Sequence, residues 1–337
     1  MQIVTYKIKA DELNIQTHDV ASSRLGFMQD DWVVDAVFAQ QWLIQEQQEV
    51  FPHLLPTDLL TLLERGKNEF RILESVVNKV AQFDVSKCKV EGEGIALESD
   101  ELLILPPLPV PVSFRDFYGF EQHVRTCREK RGLSMIPEWY ELPVFYFSNH
   151  RAMVGMDHKV KKPGYTTCLD FELEVACVIG KRGKNIAVED ARDHIAGLMI
   201  LNDWSARDIQ RKEMAVGLGP SKGKDFATST GPYFVPLSAL EDRRKGDHWD
   251  LKMVARINGR QVSKGNLRDL TWTFSEMVSH ASQDCELVPG EVFGSGTVGT
   301  GCLLELGTEV HRYLEPGDII ELEVERLGIL CNRISRD

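Results

Sequence analysis

Hydrophobic and polar positions alternate most regularly from Leu169 to Gly180, which reads LDFELEVACVIG. Successive side chains of a β-strand point to opposite faces, so this alternation predicts a strand. The strand would direct two carboxylates, those of Glu172 and Glu174, to one place. The opposite face would carry the apolar side chains of Phe171, Leu173 and Val175.

Glu172 and Glu174 would repel each other and lose hydration in a buried strand, so we expect them to share a proton or to bind a hard cation. The alternative is a solvent-facing row of glutamates. The stretch from Ile319 to Glu325, IIELEVE, alternates in the same way. Because the pattern occurs twice, Glu-x-Glu is by itself a weak indication of a metal site. Other parts of the chain are needed to choose between a metal site and a solvent-facing row of glutamates.

The part of the chain before Leu105 shows the patterns of short strands and three helices. Strands are expected at Ile3–Ile8 and in the region through Val33–Val34, with turns at Gly26 and Asp30–Asp31. Helices are expected at Asp35–Gln48, at Pro56–Gly66, and where apolar residues recur at helical spacing, namely Phe70, Leu73, Val76, Val77 and Val80. Core packing explains all of these residues, so we assign this part a supporting role.

The proline-rich segment Pro106–Pro111 marks a stiff boundary, because proline cannot continue a helix and makes a poor central strand. We therefore predict an N-terminal α+β domain at residues 1–105 and a second domain at residues 106–337.

Two segments beyond that boundary have the spacing of a helix-capping box. Ser113–Asp116 would open a helix with Asp116 near its positive end and with His123 two turns further along the same face. A single helical histidine is more often structural than catalytic. Ser205–Asp208 would open another helix that continues to about Met214.

The chain becomes rich in predicted strands from Glu141 onward. Leu142–Phe147 is one such stretch, and the buried apolar run Leu198–Leu201 leads into Asn202-Asp203-Trp204, whereas Val188–Ala196 has a helical pattern. The glycine-rich passage Gly294–Gly301 lacks the lysine of a phosphate-binding loop and the spacing of a dinucleotide site. Close backbone approach to a small ligand and plain turn formation both remain open for it.

Composition excludes several classes of function. The 337 residues are 43% hydrophobic, enough for a full-sized core, and the net charge of −12 without basic runs argues against nucleic acid as a partner. The seven cysteines are scattered without a CxxC pair, so we expect reduced thiols. The N-terminal sequence lacks the apolar core of a signal peptide and no window reaches the length of a membrane span, so a cytoplasmic location is the expectation.

The chain resembles the fumarylacetoacetate hydrolase superfamily in a series of motifs that occur in the same order. The motifs are RDFYGFEQH (Arg115–His123), LDFELEVA (Leu169–Ala176), LNDWSARDIQ (Leu201–Gln210), GKDF (Gly223–Phe226), LVPGEVFGSGTVG (Leu287–Gly299) and LEPGDIIELEVERLGILCNRI (Leu314–Ile334). We expect an α+β protein with a mixed β-roll or β-sandwich catalytic domain of the fumarylacetoacetate hydrolase type and a smaller N-terminal α+β domain.

The resemblance also implies roles for individual residues. His123 would be the base that takes a proton from water, and Glu305 would orient it and stabilise its charge. The implied ligands of one divalent metal ion are Asp116, Glu172, Glu174 and Asp203. Four carboxylates suit Mg²⁺ first, with Ca²⁺ or Mn²⁺ as alternatives, and do not suit Zn²⁺. Residues implied to contact the substrate or its developing negative charge are Arg207, Gln210, Lys224, Tyr118, Tyr146, Gly296 and Thr297.

Two positions depart from the pattern of the superfamily. Met214 stands where a substrate-contacting tyrosine is found, so the pocket lacks one hydroxyl donor. A second substrate arginine corresponds to Arg128 or to Arg131, and the sequence does not choose between them. Both departures concern substrate recognition and leave the metal ligands and the base intact.

The resemblance implies a hydrolase of the EC 3.7.1 type that cleaves a carbon–carbon bond in a 1,3-diketo acid. Fumarylacetoacetate, fumarylpyruvate or another acylpyruvate would be the substrate, in the catabolism of aromatic amino acids or other aromatic compounds. The alternatives are a metal-dependent 2-oxo acid decarboxylase, hydratase or tautomerase of the same superfamily, and a non-catalytic homologue that binds a small acid. A homodimer without nucleic-acid or membrane partners is expected.

Overall fold

The computed structural model describes residues 1–9, 22–156 and 158–336, so part of the region predicted to hold the first strands lies outside the described residues. In the first third of the chain the elements are β1 (Ile3–Ile8), β2 (Arg24–Gln29), β3 (Trp32–Asp35), α1 (Ala36–Gln47), α2 (Leu59–Arg65), α3 (Lys67–Val80), β4 (Lys89–Val90), β5 (Glu93–Gly94), β6 (Ala96–Glu98) and β7 (Leu102–Ile104).

The middle of the chain begins with two elements that carry predicted site residues, β8 (Ser113–Phe117) and α4 (Glu121–Glu129). They are followed by β9 (Phe145–Phe147), β10 (Met153–Val154), β11 (Lys159–Lys161), β12 (Leu169–Asp170), β13 (Leu173–Ile179), α5 (Val188–Ala191), β14 (Ile195–Asp203), β15 (Ser205–Ala206), α6 (Arg207–Val216) and β16 (Thr228–Pro236). The last third contains β17 (Arg244–Lys245), β18 (His248–Trp249), β19 (Lys252–Ile257), β20 (Arg260–Asn266), α7 (Phe274–Ala281), β21 (Glu291–Gly294), α8 (Leu303–Leu306), β22 (Ile319–Val324) and β23 (Gly328–Ser335).

A 12-stranded mixed sheet forms the centre of the molecule, in the order β6-β3-β2-β1-β16-β14-β13-β21-β8-β9, with β7 paired to β1 and β10 to β16. The sheet continues across the predicted domain boundary, because Ile3 of β1 pairs with Phe234 of β16. The backbone hydrogen bonds of the N-terminal strands are thus continuous with those of the strands that carry the site. The division at residue 105 stays a prediction.

The large sheet is covered on both faces. A second sheet, in the order β11-β23-β22-β19-β20, shares one apolar core with the face of β13 that carries Leu173 and Val175. On the opposite face, Ala176 and Val178 belong to a second core with buried residues of α2 and α3. Burying both faces of a sheet supplies the apolar contact area that a chain of this size needs. The prediction of an α+β protein built on large mixed sheets is confirmed.

The three N-terminal helices are confirmed, whereas several local predictions further along are wrong. Ser113–Phe117 is a strand and not a helix cap, because its backbone pairs with β21 and β9. The helix at Arg207–Val216 begins without a side-chain cap. The helical pattern of Val188–Ala196 yields helix only to Ala191, since Ile195 and its successors are drawn into β14. Among the described helices, none combines the length and the apolar character required to cross a bilayer.

Candidate active site

Four carboxylates meet at one end of the large sheet. Asp116 lies near the end of β8, Glu174 lies on β13, Asp203 ends β14, and Glu172 directly precedes β13. They come together because β8, β21, β13 and β14 are consecutive neighbours in the sheet. All four are buried, with 3%, 4%, 0% and 0% exposure for Asp116, Glu172, Glu174 and Asp203. The alternation in LDFELEVA is confirmed, with its glutamates on one side and its apolar residues in the core.

Gly294 of β21 lies between the strands that carry Asp116 and Glu174. A Cβ atom at this position would collide with Oδ1 of Asp116 and would lie 3.2 Å from Oε2 of Glu174. The missing side chain is therefore what allows the two carboxylates to approach each other. The first glycine of the glycine-rich passage serves close packing within the sheet and does not form a turn.

Two buried cations neutralise part of this negative charge. Nζ of Lys224 lies 2.5 Å from Oδ2 of Asp203 and also contacts Oε2 of Glu172. Nη2 of Arg207 donates to Oε1 of Glu172 at 2.7 Å. Burial raises the pKa of Glu172, but Arg207 and Lys224 outweigh burial and hold that pKa well below its ordinary value. Glu172 is therefore ionised at neutral pH.

Three carboxylate oxygens of the cluster are buried without a hydrogen-bond donor among the described residues: Oδ1 of Asp116, Oε2 of Glu174 and Oδ1 of Asp203. Burial, together with the charge of Asp203, raises the pKa of Asp116 from 3.8 to about 8. Burial and the charge of Asp116 likewise raise the pKa of Glu174 well above its ordinary value. Buried unpaired oxygens require a proton or a cation, and a set made only of carboxylates fits a hard divalent ion.

A histidine–glutamate pair lies beside the cluster. Nδ1 of His123, on α4, is 2.7 Å from Oε2 of Glu305, on α8, and both side chains are buried. Oε1 of Glu305 accepts a hydrogen bond of 3.0 Å from the backbone N–H of Thr300. Burial is the largest single influence on the pKa of His123 and lowers it, but the charge and hydrogen bond of Glu305 together with the neighbouring Cys302 raise that pKa well above 6.5. The arrangement favours the protonated imidazolium, which is the form that a base becomes after it takes a proton.

The pair and the cluster open onto one cavity of about 850 Å³. The predicted residues that line it are Asp116, Tyr118, His123, Tyr146, Glu172, Glu174, Arg207, Gln210, Met214, Lys224, Gly296 and Thr297. Asp203 and Glu305 lie behind these residues: Asp203 accepts a hydrogen bond of 2.5 Å from the hydroxyl of Tyr146, and Glu305 is reached through His123. The structure therefore brings all the predicted site residues together.

The outer wall of the cavity contains residues that bear on substrate choice. Met214, on α6, is 48% exposed and lines the cavity as an apolar surface. Arg128 and Arg131 both line it as well, so both of the alternatives for the second substrate arginine stay open. Nε of Arg131 donates to the backbone carbonyl of Cys127 at 3.0 Å, which leaves the far end of its guanidinium for other partners.

Asp170 is a site residue that the sequence argument missed. Its Oδ2 accepts from Nε of Arg207 at 2.8 Å, and its two oxygens accept the backbone N–H groups of Leu303 and Leu304 at 2.8 and 3.0 Å. Asp170 thereby fixes both the arginine and the start of the helix that carries Glu305. A signal was present in the sequence, because residues 170, 172 and 174 occupy alternate positions of the pattern, although Asp170 lies on β12 and Glu174 on β13.

A family of known proteins is similar to this chain over most of its length. A family model described as "Fumarylacetoacetate (FAA) hydrolase C-terminal" matches residues 113–335. A fumarylacetoacetase of Oryza sativa subsp. japonica is 31% identical over 276 residues, and the match covers 64% of this chain and 64% of the relative. The chain thus matches just under two thirds of the length of that relative.

Two solved structures share the fold. A fumarylacetoacetate hydrolase from Exiguobacterium antarcticum superposes with a TM-score of 0.69 at 21% identity, over 100% of both chains. A fumarylpyruvate hydrolase from Pseudomonas aeruginosa, solved in complex with Mn²⁺ and pyruvate, has a TM-score of 0.56 at 24% identity and covers 68% of this chain and 97% of its own. The family model extends over most of the chain, from the strand of Asp116 to the last strand. The chain therefore belongs to the fumarylacetoacetate hydrolase family.

Proposed function

We propose that the protein is a metal-dependent hydrolase that cleaves a carbon–carbon bond in a 1,3-diketo acid of the acylpyruvate type, such as fumarylacetoacetate or fumarylpyruvate. The observation that carries the proposal is the meeting of the His123–Glu305 pair and the four-carboxylate cluster in one cavity. A base beside a cation site is the combination that hydrolysis at an activated carbonyl requires. The names of the relatives support the same class of reaction.

Asp116, Glu172, Glu174 and Asp203 would hold the divalent ion, with Mg²⁺ as our first choice and Mn²⁺ or Ca²⁺ as alternatives. Bound there, the ion would supply Lewis-acid stabilisation of the negative charge that builds on the substrate oxygens. The unpaired oxygens of three of these residues support the assignment.

His123 takes the proton from the attacking water in this proposal. Its Nδ1–H is committed to Oε2 of Glu305 at 2.7 Å, so Nε2 is the nitrogen left to accept a proton. Glu305 stabilises the imidazolium that results, and its second oxygen is anchored by the backbone N–H of Thr300. The same pair can return the proton to the carbon that leaves as an enolate, which completes the reaction without a further acid.

Positive charge beside the cluster offsets the charge of the substrate. Lys224 and Arg207 are buried at the cavity wall, and Gln210 is held by Nη1 of Arg207, which donates to its Oε1 at 3.0 Å. That bond leaves the amide NH₂ of Gln210 as a donor to a substrate oxygen. A preorganised donor of this kind contributes about 3–4 kcal/mol to the stabilisation of a transition state. These groups also allow a protein with a net charge of −12 to bind an organic acid.

The test is the spectrophotometric loss of fumarylacetoacetate and of fumarylpyruvate, with Mg²⁺, with Mn²⁺ and after treatment with EDTA. We expect metal-dependent loss of one or both, and a large loss of turnover in His123→Ala with metal binding retained. His248→Ala is the matched control, because this half-buried histidine of β18 does not line the cavity.

Turnover that survives in His123→Ala would refute the assignment of the base. Metal binding without turnover of either acylpyruvate would favour the decarboxylase or tautomerase alternative, which oxaloacetate as substrate would test. The homodimer and a role in the catabolism of aromatic compounds are part of the same proposal, and light scattering of the purified protein tests the former.

A further inference from the structure

Two cysteines that the proposed reaction does not use lie against the His123–Glu305 pair. Sγ of Cys302 is 3.5 Å from Oε2 of Glu305. Sγ of Cys127, one helical turn after His123, is 3.9 Å from Nδ1 and 3.8 Å from Nε2 of the imidazole. Both thiols are buried and neither is in a disulfide. The pair and the two thiols together offer four possible metal ligands: one nitrogen, one oxygen and two sulfur atoms.

We propose that His123, Glu305, Cys302 and Cys127 form a second metal site, selective for a thiophilic divalent cation such as Zn²⁺, and that its occupation switches the enzyme off. The ligand atoms of His123, Glu305 and Cys302 already lie within 4.8 Å of one another. Sulfur and imidazole donors select zinc-like ions, whereas the all-carboxylate cluster selects hard ions. The two sites would thus take different metals from the same solution.

The distances within the group of His123, Glu305 and Cys302 are close to those of three ligands of a tetrahedral ion, and Cys127 would move toward this group to become the fourth. Bond lengths of roughly 2.0–2.3 Å to N, O and S place neighbouring ligand atoms of a tetrahedral ion about 3.3–3.8 Å apart. The separation of 3.5 Å between Cys302 and Glu305 already matches, and the 3.9 Å between Cys127 and Nδ1 needs to shorten by only a few tenths of an ångström. The 2.7 Å between Nδ1 and Oε2 would instead have to lengthen by more than half an ångström.

That lengthening makes metal binding and catalysis mutually exclusive. The ion would replace the proton on Nδ1, which is released to solvent, so the hydrogen bond from His123 to Glu305 would be lost. Each thiol that binds loses its proton to solvent and forms a metal–sulfur bond, and no oxidant or reductant is involved. With Nδ1 on the metal and Glu305 committed as a ligand, the imidazolium loses the carboxylate that stabilises it. Inhibition is the expected consequence.

An ion can reach this site from the cavity. His123 and Cys127 both line the cavity, whereas Cys302 lies behind them. Substrate in the cavity would cover the approach, so we expect substrate to slow the onset of inhibition.

The test uses Cd²⁺ as a probe, because bonds between cadmium and thiolate absorb in the ultraviolet whereas bonds between cadmium and carboxylate do not. The full-length protein, kept in excess Mg²⁺, is titrated with Cd²⁺ while absorbance and turnover are followed together. We expect one equivalent to produce the charge-transfer band and to abolish turnover, with both effects reversed by a chelator. Zn²⁺ should inhibit in the same way without the band.

Cys302→Ser and Cys127→Ser should each weaken Cd²⁺ binding by about tenfold or more, and the double variant should lose the band. Cys285→Ser is the matched control, because Cys285 is exposed and should leave both band and inhibition unchanged. The proposal is overturned if the double variant, with a normal circular dichroism spectrum, retains the band of the wild type. It is also overturned if the band forms with full turnover, or if inhibition occurs without any band. The band does not require turnover, so its outcome is independent of the proposed reaction.

Discussion

Replacing Glu305 by glutamine tests whether the carboxylate sets the tautomer of His123. In the wild type, Oε1 accepts from the backbone N–H of Thr300 and Oε2 accepts from Nδ1 of the imidazole. A glutamine keeps its oxygen toward the fixed backbone N–H, so its NH₂ group faces the imidazole. Nδ1 must then accept a hydrogen bond, and the proton moves to Nε2. His123 in that form cannot take a proton from water.

The size of the effect follows from two contributions. Turning the amide round to restore the tautomer leaves two buried donors facing each other, at a cost of about 1–3 kcal/mol. Loss of the charged hydrogen bond to the imidazolium costs a further 1.5–3 kcal/mol, roughly, because the side chain of Glu305 is 1% exposed and solvent cannot replace the charge. Together they predict a fall in kcat of roughly 10²- to 10⁴-fold.

The assay is steady-state turnover of the better acylpyruvate in saturating Mg²⁺, with KM and the metal affinity measured in parallel. KM and metal affinity should change little, because Glu305 does not line the cavity. Glu309→Gln makes the same chemical change at an exposed position on the same segment and should behave as wild type. A Glu305→Gln enzyme within about threefold of the wild-type kcat would refute the role of the carboxylate.

Three further changes test the carboxylate cluster. Gly294→Ala would press a methyl group onto Asp116 and should weaken Mg²⁺ binding, measured by calorimetry, whereas Gly164→Ala, where a Cβ meets nothing within 4 Å, should not. Arg207→Lys would lose the planar guanidinium that contacts Asp170 and Glu172 at once, so it should lower the free energy of unfolding in urea by about 1–3 kcal/mol. An unchanged urea midpoint would contradict a structural role for these contacts. The raised pKa of Asp116 stabilises the metal-free protein below about pH 4, and that stabilisation is lost as pH rises to about 8. Stability after EDTA treatment should therefore fall between about pH 4 and pH 6, and Mg²⁺ should abolish this part of the slope; above about pH 6.5 the raised pKa of His123 adds a slope of the same sign. If the stability of the metal-free protein instead rises with pH, the inference that Asp116 is buried with an unpaired oxygen and a raised pKa would be wrong.

The alternation of the sequence predicted which faces of the site strand are apolar, because the period of two follows from the backbone alone. It could not distinguish Glu174 from Glu323, which occurs in the same pattern. Glu174 is buried between two neighbouring strands of the large sheet, whereas Glu323 faces outward and pairs with Arg256 at 2.6 Å. Which sheet packs on which face depends on contacts between distant segments, and a local pattern does not contain them.

The capping-box prediction at Ser113–Asp116 failed for the same reason. The local spacing favoured a helix, but pairing with β21 on one side and β9 on the other makes the segment a strand. Asp116 and His123 still meet at one cavity, since the chain turns between the strand and α4. The family resemblance named residues that meet at this cavity despite this error, because it depends on their order along the chain and not on the local structure.

Lys224 has a consequence for how the protein matures. Its ammonium group contacts two of the four carboxylates, so the chain provides its own counter-ion where the divalent metal is expected. A fold with such an internal cation does not depend on the metal supply during synthesis. If the proposed metal site is correct, newly made chains would fold in an inactive form, and the ammonium group would shift as the metal enters. In the proposed reaction, addition of metal to the folded protein would then produce activity without new synthesis of the protein.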